Sequence, residues 1–303
     1  TEKGIKKKRL LLGAISMALA VGCRPNFVLG SIIIAPIVLN GLATNGGYNR
    51  INKVGKTSGN EHKKYNYFKA IFSKKNIKEI IVFTLPYLVI GIALMYYNYI
   101  RFGSITEFGA RYQLTVYDTS YYHITDIGKL PVAISKGLLM LPSVSSVFPY
   151  FNATTESSDY MGFFYSMACM GIFAYPVMWL LTLVPWASRR IIKETGNRGF
   201  VMTALVVAFA MCYITTTMGG TSLRYSIDYA WMFFLPIIYV VIIMYSKARE
   251  KGIERYVTII MIGLAIASFA ITAMVAISPE WSNIKCDSPV LFYYIKQMLV
   301  FWK

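Results

Sequence analysis

Apolar runs of about 20 residues recur along the chain, the length a helix needs to cross a hydrocarbon core about 30 Å thick. Residues 80–99, 160–186, 199–218, 229–246 and 257–277 all reach it. In lipid every backbone polar group must be satisfied internally, so such runs dictate helices packed as a bundle. Pro86, Pro176 and Pro185 fall inside them. That is tolerated where neighbouring helices satisfy the freed carbonyls. Only 15% of the 303 residues are charged and 56% are hydrophobic. A water-soluble domain carries about 25% charged residues, and this chain has more apolar surface than such a fold can hide.

Residues 10–40 are apolar too, but Arg24-Pro25-Asn26 interrupts them. One straight helix would hold Arg24 near mid-bilayer, at about 2.5–3.5 kcal/mol on insertion scales. Two short helices, 10–22 and 27–40, would put the break near the far surface as a hairpin. Charge separates the two arrangements. With the hairpin and a cytoplasmic N-terminus, residues 1–9, 41–79, 187–198 and 247–256 share one side and carry 22 of the 31 basic residues. With a single span the split is 17 against 14. The positive-inside rule favours the hairpin.

The sequence therefore predicts an all-α polytopic membrane bundle with about seven apolar segments, read as one transmembrane domain. Residues 41–79 form a basic cytoplasmic loop, read as a flexible solvated connector. Residues 101–159 form a long outer loop, whose short apolar pieces, notably 130–141, lie in the interface. The net charge of +17 then reflects anchoring to anionic lipid headgroups, and nucleic acid is not an expected partner. The opening TEKGIKKKRL shows no clear cleavage site before the apolar run resumes. Thr1 reads as an internal position of a longer chain, of which this would be a C-terminal fragment.

Three constellations carry candidate chemistry. Arg24 stands before a proline, at a chain break with free carbonyls nearby. A guanidinium at the edge of hydrocarbon needs a partner, and phosphate matches it in bidentate geometry. The alternative is an arginine that snorkels or meets a protein carboxylate. Second, Arg101 follows the span 80–99 at headgroup level among aromatic residues, with Glu107, Arg111 and Tyr112 after it. The alternative there is a structured turn with interface anchors. Third, Arg224, Tyr225 and Asp228 lie in the turn 219–229 between two spans. At a spacing of four, Arg224 and Asp228 could simply pair on a helix. No CxxC, Cys/His cluster, Walker, GxSxG or Rossmann pattern occurs, so neither a zinc site, a disulfide scaffold nor a cofactor is expected, and only a divalent metal is left open. Asn98 and Thr215–Thr217 are candidates for hydrogen bonds across helices.

The string Asn98…Arg101-Phe102-Gly103-Ser104…Glu107-Phe108-Gly109, with Gly22-Cys23-Arg24-Pro25 before it and Arg224-Tyr225…Asp228 after it, resembles the C-terminal half of bacterial polytopic GT-C glycosyltransferases. These include the protein-O-mannosyltransferase-like and lipid A-modifying enzymes. The resemblance implies sugar transfer from a polyprenyl-phosphate carrier on the outer face of the bacterial inner membrane, to a glycan, lipid or protein acceptor. It implies that basic side chains hold the donor phosphate, and Arg24, Arg101 and Arg224, which the charge-derived topology puts on the outer side, are the candidates. The family's catalytic acid lies in an outer loop that would precede Thr1, so no catalytic residue is assigned, and this stretch alone is expected to be inactive. Two rival readings are a transporter or flippase for a lipid-linked or anionic solute, and a membrane scaffold without catalysis.

Overall fold

The computed structural model describes residues 6–48, 67–109, 112, 127–154, 170–187, 198–219, 223–278 and 284–300. Helices dominate, and five among the described residues are long and apolar enough to cross a membrane: Phe27–Asn45, Lys74–Phe102, Arg198–Thr217, Leu223–Glu250 and Glu254–Ile277. The chain thus has the helices of an integral membrane protein. It divides into two compact units, Thr1–Gln113 and Leu114–Lys303, a division the sequence reading does not draw.

The first unit is built on α1 (Lys7–Cys23), α2 (Phe27–Asn45), the short α3 (Tyr67–Ile71) and α4 (Ile77–Phe102). Helix α1 stops where Arg24 turns extended ahead of Pro25, as the pre-proline restriction requires. Phe27, Val28 and Leu29 then bond back to Arg24, Pro25 and Asn26 and open α2. Leu10, near the start of α1, clusters with Val38 and Leu42, near the end of α2. The two helices therefore run antiparallel as the expected hairpin. The second arm is longer than predicted, reaching Asn45 where the sequence suggested 40. Lys7 Nζ lies 3.5 Å from Glu79 Oε1. The N-terminus of α1 and the start of α4 thus share one end of the unit, and the Arg24 turn occupies the other.

Residues 41–79 were expected to form a flexible connector. Their described parts, at both ends of the stretch, are packed instead. Asn76 is fully buried, and its Nδ2 donates to the carbonyls of Leu42, Ala70 and Ile71 at 2.7, 3.0 and 3.0 Å. One amide thereby ties the end of α2 and α3 to the start of α4. Gly46 lies so close to Ala70 that a Cβ would overlap that residue's backbone.

The second unit contains α5 (Leu130–Leu139), a two-residue-per-strand hairpin (β1 Ser143–Val144, β2 Phe151–Asn152), α6 (Val184–Ala187), α7 (Arg198–Gly219), α8 (Leu223–Glu250), α9 (Glu254–Ile277), α10 (Ile284–Asp287) and α11 (Pro289–Leu299). Helices α7 and α8 pair antiparallel. Phe209 meets Phe233 edge-on at 5.1 Å, and further along Phe200 meets Tyr239 at 6.3 Å. The expected interfacial segment 130–141 appears as α5, packed on α7. The expected span 160–186 takes a different form in its described part. Residues Ile172–Ala174 and Pro176–Leu183 are 3₁₀ turns, and only Val184–Ala187 is α-helical. Pro176 and Pro185 withhold backbone donors, and Ser268 Oγ of α9 accepts the Val177 N–H instead, at 2.9 Å.

Candidate functional site

The first two constellations meet at one end of the first unit. Tyr87 on α4 donates to Ser31 on α2 at 3.0 Å, which fixes the register of these antiparallel helices. A register set this way puts Arg24 at about the level of Leu94. Arg101 lies seven residues further on, about 10 Å at 1.5 Å per residue. The two guanidinium-bearing positions thus share an end but differ in depth, with Arg24 the deeper.

At the level of Arg24 lies an apolar cavity of about 310 Å³. Val21, Pro25 and Val28 of the hairpin form one wall, and Gly91, Leu94 and Met95 of α4 another. The chain after α4 closes it by folding back. Gly103 ends the helix in the left-handed region at φ 68° and returns its N–H to Tyr99, as helix C-termini commonly require of glycine. The buried Asn98 then donates from Nδ2 to the Ile105 carbonyl at 3.4 Å. This delivers Ile105, Thr106 and Phe108 to the cavity's third wall. Asn98 was read as a candidate bond across helices, and its observed partner is this returning loop.

The remaining residues of the string have structural roles that the sequence did not reveal. Glu107 Oε1 accepts the Gly109 N–H at 2.8 Å and holds the turn. Tyr112 stacks on Phe102 with centroids 5.3 Å apart. Arg101 donates to the Tyr97 hydroxyl at 2.6 Å and lies over the Tyr97 and Phe102 rings at 5.4 and 5.1 Å. It is thus a cation dressed in aromatic surface, suited to a membrane interface. Arg24 is exposed beside the cavity-lining Pro25. Arg111 lies outside the described residues.

Arg224 belongs to the second unit. The expected turn 219–229 is largely helix, since α8 begins at Leu223. Arg224 is exposed, donates to the Tyr225 hydroxyl at 3.0 Å and covers that ring at 4.8 Å. Asp228 is buried. Near it in the chain, Tyr229 donates to the Gly137 carbonyl at 3.2 Å and also contacts the buried Cys212, which contacts Thr216. Among the described residues, the hydroxyls of Thr215 and Thr217 are buried without a hydrogen-bond partner, although the sequence suggested bonds across helices. Among the described residues no group of His, Cys, Asp and Glu is placed to hold a metal ion.

No protein-family model, curated protein or solved structure matches this chain.

Proposed function

We propose that this chain is the donor-binding part of a membrane-embedded glycosyltransferase that uses a polyprenyl-phosphate-linked sugar at the outer face of the membrane. The observation that supports this reading is the pairing of Arg24 with an apolar cavity at a break between two helices. A polyprenyl phosphate presents a highly apolar chain directly joined to an anion. The cavity offers apolar walls on three sides, and its Pro25 wall adjoins an arginine set about 10 Å deeper than the interface-level Arg101. A phosphate met at that depth is poorly hydrated, so a charge-assisted contact there counts for more than at the surface.

In this reading Arg24 neutralises the phosphate as the sugar departs, by electrostatic stabilisation of developing charge. Arg101 fixes the rim of the site in the interface. Glu107 serves as a turn acceptor, and no catalytic role is assigned to it. The topology has α1 and α2 as a hairpin with its tip on the outer side, and the Lys7–Glu79 end on the cytoplasmic side. The charge asymmetry of the sequence also assigns Arg224 and Tyr225 to the outer side of the membrane.

Replacing Arg24 by Ala in the full-length protein tests this directly. Losing a hydrogen bond to a charged group costs about 1.5–3 kcal/mol, so turnover of the lipid-linked sugar is expected to fall roughly ten- to a hundredfold, with membrane abundance unchanged. Arg24→Lys should recover part of the activity. A change in abundance alone would favour the scaffold reading. The buried Asp228 and the two threonine hydroxyls buried without a partner among the described residues favour a transporter as the second reading, because polar groups are costly inside a membrane and tend to mark solute pathways. That reading predicts solute movement in proteoliposomes that is lost in Asp228→Asn and intact in Arg24→Ala.

A further inference from the structure

A second cavity, of about 230 Å³, lies wholly within the second unit, between the β1–β2 hairpin and the C-terminal helices. Its character is opposite to that of the Arg24 cavity. Lys285 and Lys296 both line it, together with Ser145 and Asn152, and none of the described lining residues is acidic. The nearest acid in the sequence, Asp287, borders a separate depression alongside Pro289, Val290 and Tyr294.

The packing around this cavity explains why the lysines converge. Phe292 of α11 is buried and meets Phe148 of the hairpin edge-on at 5.5 Å. Both pack with Met274 and Ile277, the last turn of α9. The cavity therefore sits at the end of a helix long and apolar enough to cross a membrane, where headgroups lie. Helix α11 turns Phe292 inward and leaves Val290, Leu291, Tyr294 and Met298 exposed. An apolar stripe opposite a packed face is the pattern of a helix lying in the interface. Tyr293 contributes a ring to the cavity, and Lys296 Nζ lies 6.0 Å from its centroid.

We propose that this cavity binds the phosphate headgroup of an anionic membrane lipid. The two ammonium groups neutralise the phosphate as point charges, Asn152 and Ser145 meet headgroup hydroxyls, and the exposed stripe of α11 lies along the acyl chains. The volume holds roughly seven waters, enough for a phosphate with a glycerol-sized substituent and too small for an oligosaccharide. The site shares no residue with the Arg24 cavity and does not depend on the proposed transferase activity.

The test is native mass spectrometry of the full-length protein released from micelles containing phosphatidylglycerol or phosphatidylcholine, with glycerol 3-phosphate as soluble competitor. The wild type is expected to retain phosphatidylglycerol over phosphatidylcholine. The Lys285→Ala/Lys296→Ala variant should bind it roughly thirtyfold more weakly, the loss of two lysine contacts near a membrane surface. Lys285→Arg/Lys296→Arg should bind as the wild type does, which separates lost charge from misfolding. Equal retention of both lipids, or unchanged binding in the double alanine variant with an unaltered melting temperature, overturns the proposal. Binding of glycerol 3-phosphate with wild-type strength in the absence of lipid would overturn the lipid source and leave a phosphate-ester site.

Discussion

Helices α4 and α7 are both apolar enough to span a membrane, yet they are used in different ways. In its most apolar 18-residue window, Lys74–Phe102 has no buried residue, whereas Arg198–Thr217 has 44% buried. Helix α7 is packed by protein through Val201, Ala204, Ala208, Met211 and Cys212, all fully buried. Helix α4 shows Leu88, Ile92 and Tyr96 more than half exposed, so along most of its length its solvent is lipid or a further stretch of protein. The difference bears on function. The packed helix carries a polar cluster sealed inside protein. The bare helix frames the apolar cavity beside Arg24, the cavity on which the proposed function rests.

The contrast can be broken or sharpened by substitution. The largest effect is expected from Ile92→Lys, which places a charge on the bare face at about 3–4 kcal/mol on insertion scales. Membrane abundance should collapse, and wild-type abundance would mean that this face meets water. Next is Phe233→Ala, at the centre of the α7–α8 contact. In lipid the transfer term largely vanishes, so the cost should sit near the lower end of the range for such truncations, about 3 kcal/mol, read as a lower unfolding midpoint in detergent. Asn76→Leu should cost about 2 kcal/mol, because the buried carbonyls of Leu42, Ala70 and Ile71 lose the contact of one shared amide. Smallest is Leu88→Ala, at about 0.5 kcal/mol or less, since a side chain facing lipid leaves no cavity behind. A loss comparable to that of Phe233→Ala would show protein covering α4.

The helices were the most legible part of this fold. Runs 80–99, 199–218 and 257–277 appear within Ile77–Phe102, Arg198–Gly219 and Glu254–Ile277, because a bilayer-length apolar run permits little else. The break at Arg24 was legible because proline restricts its predecessor. Segment 160–186 misled because hydropathy counts apolar residues and ignores the donors that prolines remove. Asn76 gave no signal, since an asparagine in a basic stretch looks the same whether solvated or buried. Helix α11 had one: Ser288-Pro289 opens a helix, and the alternation of inward Phe292 with outward Leu291 and Tyr294 follows its period. In the candidate site, Arg24 and Arg101 could be named from sequence. The cavity beside Arg24 could not, because it depends on the loop after Gly103 folding back onto the hairpin.

Sidedness is the claim on which the proposed mechanism rests, and cysteine accessibility measures it most directly. After replacement of the native cysteines, single cysteines at positions 24, 101 and 224 should react with an impermeant maleimide from one side of intact membranes, and those at 7 and 251 only after permeabilisation. Labelling of 24, 101 and 224 from different sides would contradict the account.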